Sequence, residues 1–162
     1  QGGNTYTVNR WGRITSATGC NGRAHDVVVI GPASYRCEKP LAAGNYSYGH
    51  DQEGTQIENG DYGLFKFLAD HTDVEWGAMY SGGLNPSDST ACLLQTSHEN
   101  GVCNTSFCWS DYDTFVHSHP RDGAKQPTHS DEEAKKEMLN DTQCKVSDFG
   151  VYLTASRTVK AF

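Results

Sequence analysis

The chain has 162 residues, 36% of them hydrophobic, and a formal net charge of −7. That apolar content suits one core and falls short of two, so a single domain is expected. No basic stripe offers a nucleic-acid footprint, and no apolar run approaches the ~18 residues that a membrane span needs.

Abundant glycine and a mean hydropathy of −0.64 imply long loops. The opening QGGNTYTVNRWGRI has no initiator Met and no apolar signal region. It reads as a piece cut from a longer protein, with any export signal encoded upstream. Residues 1–61 are expected to form a β-rich, irregular extension packed on the main domain. Within it, YTVNRWGRI alternates like a short strand, TSATGCNGRA is turn chemistry and HDVVVIG is a short β-branched strand. PLAAGNYSYGHDQEGTQIENGD reads as a long irregular connection.

From residue 62 the pattern tightens. YGLFKFLADH sets Leu64, Phe65 and Leu68 on one helical face. VEWGAMY, TACLLQTS and YDTFVHSH read as strands. SDEEAKKEML reads as a helix whose Ser130 and Glu133 fit a capping box, with acidic residues in its first turn. FGVYLTA and TVKAF read as a final hairpin around Ser156 and Arg157. This order predicts an α/β domain over 62–162, a mixed sheet packed with helices.

Six cysteines, Cys20, Cys37, Cys92, Cys103, Cys108 and Cys144, form no CxxC pair. Disulfides in an oxidising compartment and buried free thiols fit equally well. If bonds form, Cys103 and Cys108 are the expected local pair.

The stretch FVHSHPRDGAKQPTHSDEEAKK carries the chemistry. Side chains at i and i+2 on a strand share a face, so His117 and His119 aim the same way. Pro120 stops the strand, a loop of small and polar residues follows, and Asp131 sits in the first turn of the next helix. Two imidazoles and one carboxylate are a usual catalytic zinc set, with a fourth position left for water. Singly, an HxH pair arises by chance and an Asp at a helix start is often only a cap. Together with Ser118, Pro120 and the Thr128-to-Asp131 spacing they favour a metal site. Upstream, Glu75 is flanked by Val74 and Trp76, where a carboxylate is costly without a use or a partner. Glu53, Glu58 and Glu99 are its rivals. His98 is a cleft candidate against the plainer reading of a loop histidine with a local hydrogen bond. His129 is a spare ligand candidate, and Trp109 and Tyr112 read as core or rim.

HSHP followed by PTHSD resembles the JAMM (JAB/MPN) metallopeptidase motif of His-x-His-Pro, a loop, then Ser-x-x-Asp. The resemblance implies a JAB/MPN-like fold with one zinc per chain on His117, His119 and Asp131. It implies Glu75 as the base that takes a proton from the attacking water. Thr128 stands where the family has its oxyanion-holding Ser, and the loop before it is one residue longer than usual. LFKFLADHTDVEWG, TSHENG and HSHP, in that order, look like the JAB-like toxin domains of bacterial polymorphic toxins, and NTYTVNRWGRI loosely resembles the sequence before them. That implies zinc-dependent hydrolysis of a peptide or isopeptide bond by the C-terminal cargo of a larger exported bacterial protein. A protein or peptide substrate and an immunity protein are the implied partners. The acidic balance suits a partner with basic patches, though an ordinary solvated surface explains it equally. The rival readings are a catalytically inactive JAB/MPN scaffold and a cysteine peptidase.

Overall fold

Leu64, Phe65 and Leu68 are fully buried on α1 (Tyr62–His71). The helix starts where Asp61 accepts a hydrogen bond from the Leu64 amide at 2.7 Å. The computed structural model describes residues 3–19, 25–48, 52–99, 111–121 and 123–162. In it, the apolar face of α1 joins residues of two sheets in one hydrophobic cluster.

The smaller sheet has four strands in the order β2-β1-β3-β4. They are β1 (Asn4–Val8), β2 (Ile14–Gly19), β3 (Val27–Ile30) and β4 (Ala33–Arg36). Tyr6, Val8, Val28 and Ile30 from this sheet enter the α1 cluster. The larger sheet has seven strands in the order β11-β10-β9-β7-β8-β6-β5. These are β5 (Ala43–Tyr48), β6 (Gln52–Asp61), β7 (Gly77–Tyr80), β8 (Ala91–Thr96), β9 (Thr114–His119), β10 (Asp148–Leu153) and β11 (Thr158–Ala161). β10 runs parallel to β9, and the chain between them carries α2 (His129–Asn140), as a parallel pair requires a crossover.

Strand alternation gives the larger sheet two apolar faces. Ala78, Tyr80, Leu94, Val116 and Tyr152 face α1. Met79, Leu93, Phe115 and Phe149 face the opposite way and pack with Met138 of α2 and Val146. His117 and His119 continue the Phe115 row, so the fold sets them on the α2 side.

Several expectations are corrected. The stretch expected to be an irregular connection from Pro40 to Asp61 contains the β5–β6 hairpin. Its alternation is hidden because small and polar residues such as Thr55 occupy inward positions and β5 lies on a sheet edge. The turn expected over residues 15–24 is strand β2 up to Gly19. The strand expected through Arg13 stops at Val8, where the Asn9 side chain accepts from the Trp11 and Arg13 amides and folds a turn. Within residues 1–61, β1 to β4 form the smaller sheet, while β5 and β6 pair in the larger one. The α2 cap is Thr128 with Asp131, not Ser130 with Glu133.

The cysteines divide. Cys144 is disulfide-bonded, while Cys37 and Cys92 are buried free thiols. The expected Cys103–Cys108 pair lies outside the described residues, as do Cys20 and Trp109. Tyr112 packs against the cluster on the α2 side.

Candidate metal centre

Strand β9 delivers His117 and His119 onto one face, both under 6% exposed. Their Nε2 atoms lie 3.3 Å apart. Asp131, at the third position of α2, reaches back to both: its Oδ1 is 2.9 Å from His117 Nε2 and its Oδ2 is 3.3 Å from His119 Nε2. One ligand atom from each of the three lies within 4.8 Å of the others.

The helix start that presents Asp131 is built by a reciprocal cap. Thr128 Oγ1 accepts from the Asp131 amide at 3.4 Å, and Asp131 Oδ2 accepts from the Thr128 amide at 2.6 Å. The Thr128 hydroxyl therefore serves the helix first. It accepts there and keeps its own proton for a further acceptor.

Glu75 joins the group by register. Gly77 pairs with His117 across the antiparallel β7–β9 ladder. Two residues further along, Glu75 stands opposite His119 and on the same face. Its Oε1 is 4.0 Å from His119 Nε2. Ser118, like His98 a cleft candidate, extends that ladder from the other face. Its amide donates to the Trp76 carbonyl at 2.8 Å, and its buried hydroxyl accepts from the Trp76 amide at 2.9 Å. The Glu75 backbone is held further by its amide donating to Glu99 O and its carbonyl accepting from Thr96 Oγ1.

Electrostatics mark the group as one unit. Burial pushes the Glu75 carboxyl up to about 7; the nearby His119 opposes the rise and the Asp131 charge adds to it. Burial would also raise Asp131, but hydrogen bonds from His117, His119 and the Thr128 amide hold it well below the usual carboxylate range. For His119, burial acts downward and is outweighed by Asp131, the Ala124 carbonyl and Glu75, so its pKa is raised.

A cation fits this donor set. His119 Nδ1 is 3.0 Å from the Ala124 carbonyl, which only accepts, so Nδ1 carries the hydrogen and Nε2 of the neutral ring offers a lone pair. The Asp131 carboxylate offers only lone pairs as well. Two imidazole nitrogens and a carboxylate converging in this way are the chemistry of a metal ligand set.

The remaining candidates lie elsewhere. His98 Nε2 is 2.7 Å from Thr55 Oγ1, which also contacts the Gly12 carbonyl and Asn45. Burial and the Arg13 charge lower its pKa, and its left-handed φ of 62° fits a turn after β8. His129 is exposed and lies 3.8 Å from Glu133. Glu53 pairs with Arg13, and Glu58 accepts from Gln56. Burial pushes the Cys37 and Cys92 thiols up, away from the thiolate that a cysteine nucleophile needs.

Sequence reasoning missed the Ala124 carbonyl, which has no residue-type signal, and the aromatic surround of His117. Phe115 stacks on that ring at 5.8 Å and Phe162 meets it edge-on at 5.9 Å. A cavity of about 480 Å³ opens between the end of α1 and Pro120, bounded by Arg10, Trp11, Asp73, Arg121 and Thr154.

The family model described as JAB-like toxin 1 matches residues 54–142, a span that holds Glu75, both histidines, Thr128 and Asp131. No curated protein and no solved structure matches the chain.

Proposed function

Because the chain belongs to the JAB-like toxin 1 family, we propose that it is a zinc-dependent hydrolase of peptide or isopeptide bonds. We further propose that it works as the toxin cargo of a larger exported bacterial protein, with an immunity protein as its second partner. The observation that supports this best is the convergence of His117, His119 and Asp131 with Glu75 set beside them. Among the described residues, no helix is long and apolar enough to cross a membrane.

Zinc held by His117, His119 and Asp131 supplies a Lewis acid that acidifies water and polarises a carbonyl. Glu75 takes the proton of the attacking water as the new C–O bond forms. It then gives that proton to the amine as the C–N bond breaks. A carboxyl held near neutrality suits both halves of that transfer. The Thr128 hydroxyl proton, free of the helix cap, donates to the carbonyl oxygen as negative charge develops there. His119 keeps its orientation through the Ala124 carbonyl.

The test is elemental analysis of the purified chain with hydrolysis of a quenched-fluorescent peptide library. We expect about one zinc per chain and activity lost to a chelator and restored by zinc. The His117→Ala, His119→Ala double variant should hold no zinc. Full zinc in that variant removes the assigned ligands, and chelator-insensitive hydrolysis removes the mechanism.

A further inference from the structure

The two imidazoles of the centre are held by different means. Imidazoles that ligate a metal almost always donate their second nitrogen to an acceptor, which fixes the ring. His119 follows this pattern through Ala124. His117 does not: its Nδ1 is buried and finds no hydrogen-bond partner among the described residues. Away from Nε2, which meets Asp131, packing alone holds its ring. Phe115, two residues earlier on β9, stacks nearly parallel to it with an interplanar angle of 19°, and Phe162 closes the other approach at 84°.

Phe115 comes with the strand, but Phe162 must be brought there. Its amide donates to the Phe149 carbonyl at 3.1 Å, and its backbone oxygen accepts from Lys135 Nζ at 2.6 Å. The same ammonium lies 5.6 Å from the Phe149 ring centre and 5.8 Å from that of Phe162, within cation–π range of both. Lys135 sits one turn after Asp131 on α2, so the two share a face. The helix is otherwise lightly held, with Met138 its one buried side chain. A single lysine thus ties the helix that carries the carboxylate to the ring that abuts the imidazole.

We propose that Phe162 and Lys135 are positioning residues of the metal centre: Phe162 fixes the His117 ring in place of the missing Nδ1 hydrogen bond, and Lys135 locks Phe162 and α2 together around it. This rests on the reading that His117, His119 and Asp131 bind a metal. It makes metal affinity depend on two residues that touch no metal. Because both act along one path, their effects must not add.

The experiment is cobalt(II) titration of the full chain, freed of metal by a chelator, read by the visible absorption of the bound ion. Wild type should bind stoichiometrically. Phe162→Leu, which keeps apolar bulk but removes the ring, and Lys135→Met should each weaken cobalt binding by ~10–100-fold, the usual cost of losing an outer support. The Phe162→Leu, Lys135→Met double variant should lose no more than the worse single variant. Lys135→Arg should restore wild-type affinity and spectrum, since it keeps both the donor and the cation. Urea unfolding of each metal-free variant checks that the fold is intact; Lys135 is partly exposed, so its variants answer even if Phe162→Leu does not fold. Lys135→Met with wild-type affinity and spectrum overturns the proposal. Failure of the wild type to bind cobalt would overturn the metal site itself, a result plainly distinct from the first.

Discussion

Replacing Glu75 by Gln should stabilise the metal-free protein while removing its activity. Glu75 is 8% exposed, and its carboxyl is raised from the ordinary 4.5 to about 7. An acid whose pKa is higher folded than unfolded holds its proton more tightly in the native state. Its contribution to stability is complete below about 4.5, falls as pH rises and is lost above about 7. The shift corresponds to about 3 kcal/mol across that window. Gln at this position does not titrate, so the stability difference between Glu75→Gln and wild type should grow by about 3 kcal/mol from pH 4.5 to pH 8 and then level off. Titrating groups away from Glu75 are common to both proteins and cancel; His119, whose pKa Glu75 helps to raise, is the coupled exception. Urea unfolding in the presence of a chelator measures it. With zinc restored, the variant should keep its metal and lose ~10²–10⁴ in turnover, the usual cost of a missing general base. A stability difference that stays flat between those pH values would mean that Glu75 ionises normally in the fold. Glu75 would then not be a carboxylate poised near neutrality, whatever the activity shows.

Asp131→Asn should keep helix α2 by circular dichroism, because an amide oxygen still accepts the Thr128 amide, yet lose metal by ~10–100-fold or more; a variant that keeps full zinc would take Asp131 out of the ligand set. Thr128→Ser should match wild type. Thr128→Val should lower stability by ~1 kcal/mol through the lost cap and turnover by ~10–10³ through the lost donor, with zinc content unchanged; wild-type turnover would leave Thr128 as a cap only. Gly63→Ala places a Cβ against the Tyr35 hydroxyl, which bonds Asp61 at the α1 cap, and should cost ~1–3 kcal/mol in urea unfolding; no loss would show that Tyr35 swings clear freely.

How much of the centre was legible follows from how local its causes are. His117 and His119 share a face because strand side chains alternate, and Asp131 opens a helix because its neighbours cap it; both rules act within a few residues. α1 was readable for the same reason, its three core residues falling at helical spacing. The cap itself was misassigned because Ser130 with Glu133 and Thr128 with Asp131 both satisfy the pattern, and only the packed chain chooses between them. β5 and β6 were missed because inward Thr55 is polar and the strand that seats them in the sheet, β8, lies far along the chain. Phe162 and Lys135 were invisible for a related reason: they meet only after β10 and β11 have paired.

The same distinction bears on what the fold must protect. Glu75 reaches the centre only through the β7–β9 register, which Ser118 pins by two hydrogen bonds to Trp76. A slip of one residue would turn Glu75 to the opposite face, because strand side chains alternate with a period of two. Trp76 would then point at the histidines. On that opposite face the Trp76 indole is fully buried and donates to the Thr72 hydroxyl at 3.0 Å, in the cluster that α1 organises. A slip would therefore expel the largest side chain of the core along with the carboxylate. The hydrophobic core and the candidate base are thus fixed by one register, and the costly burial of Glu75 is held in place by the favourable burial of its neighbour.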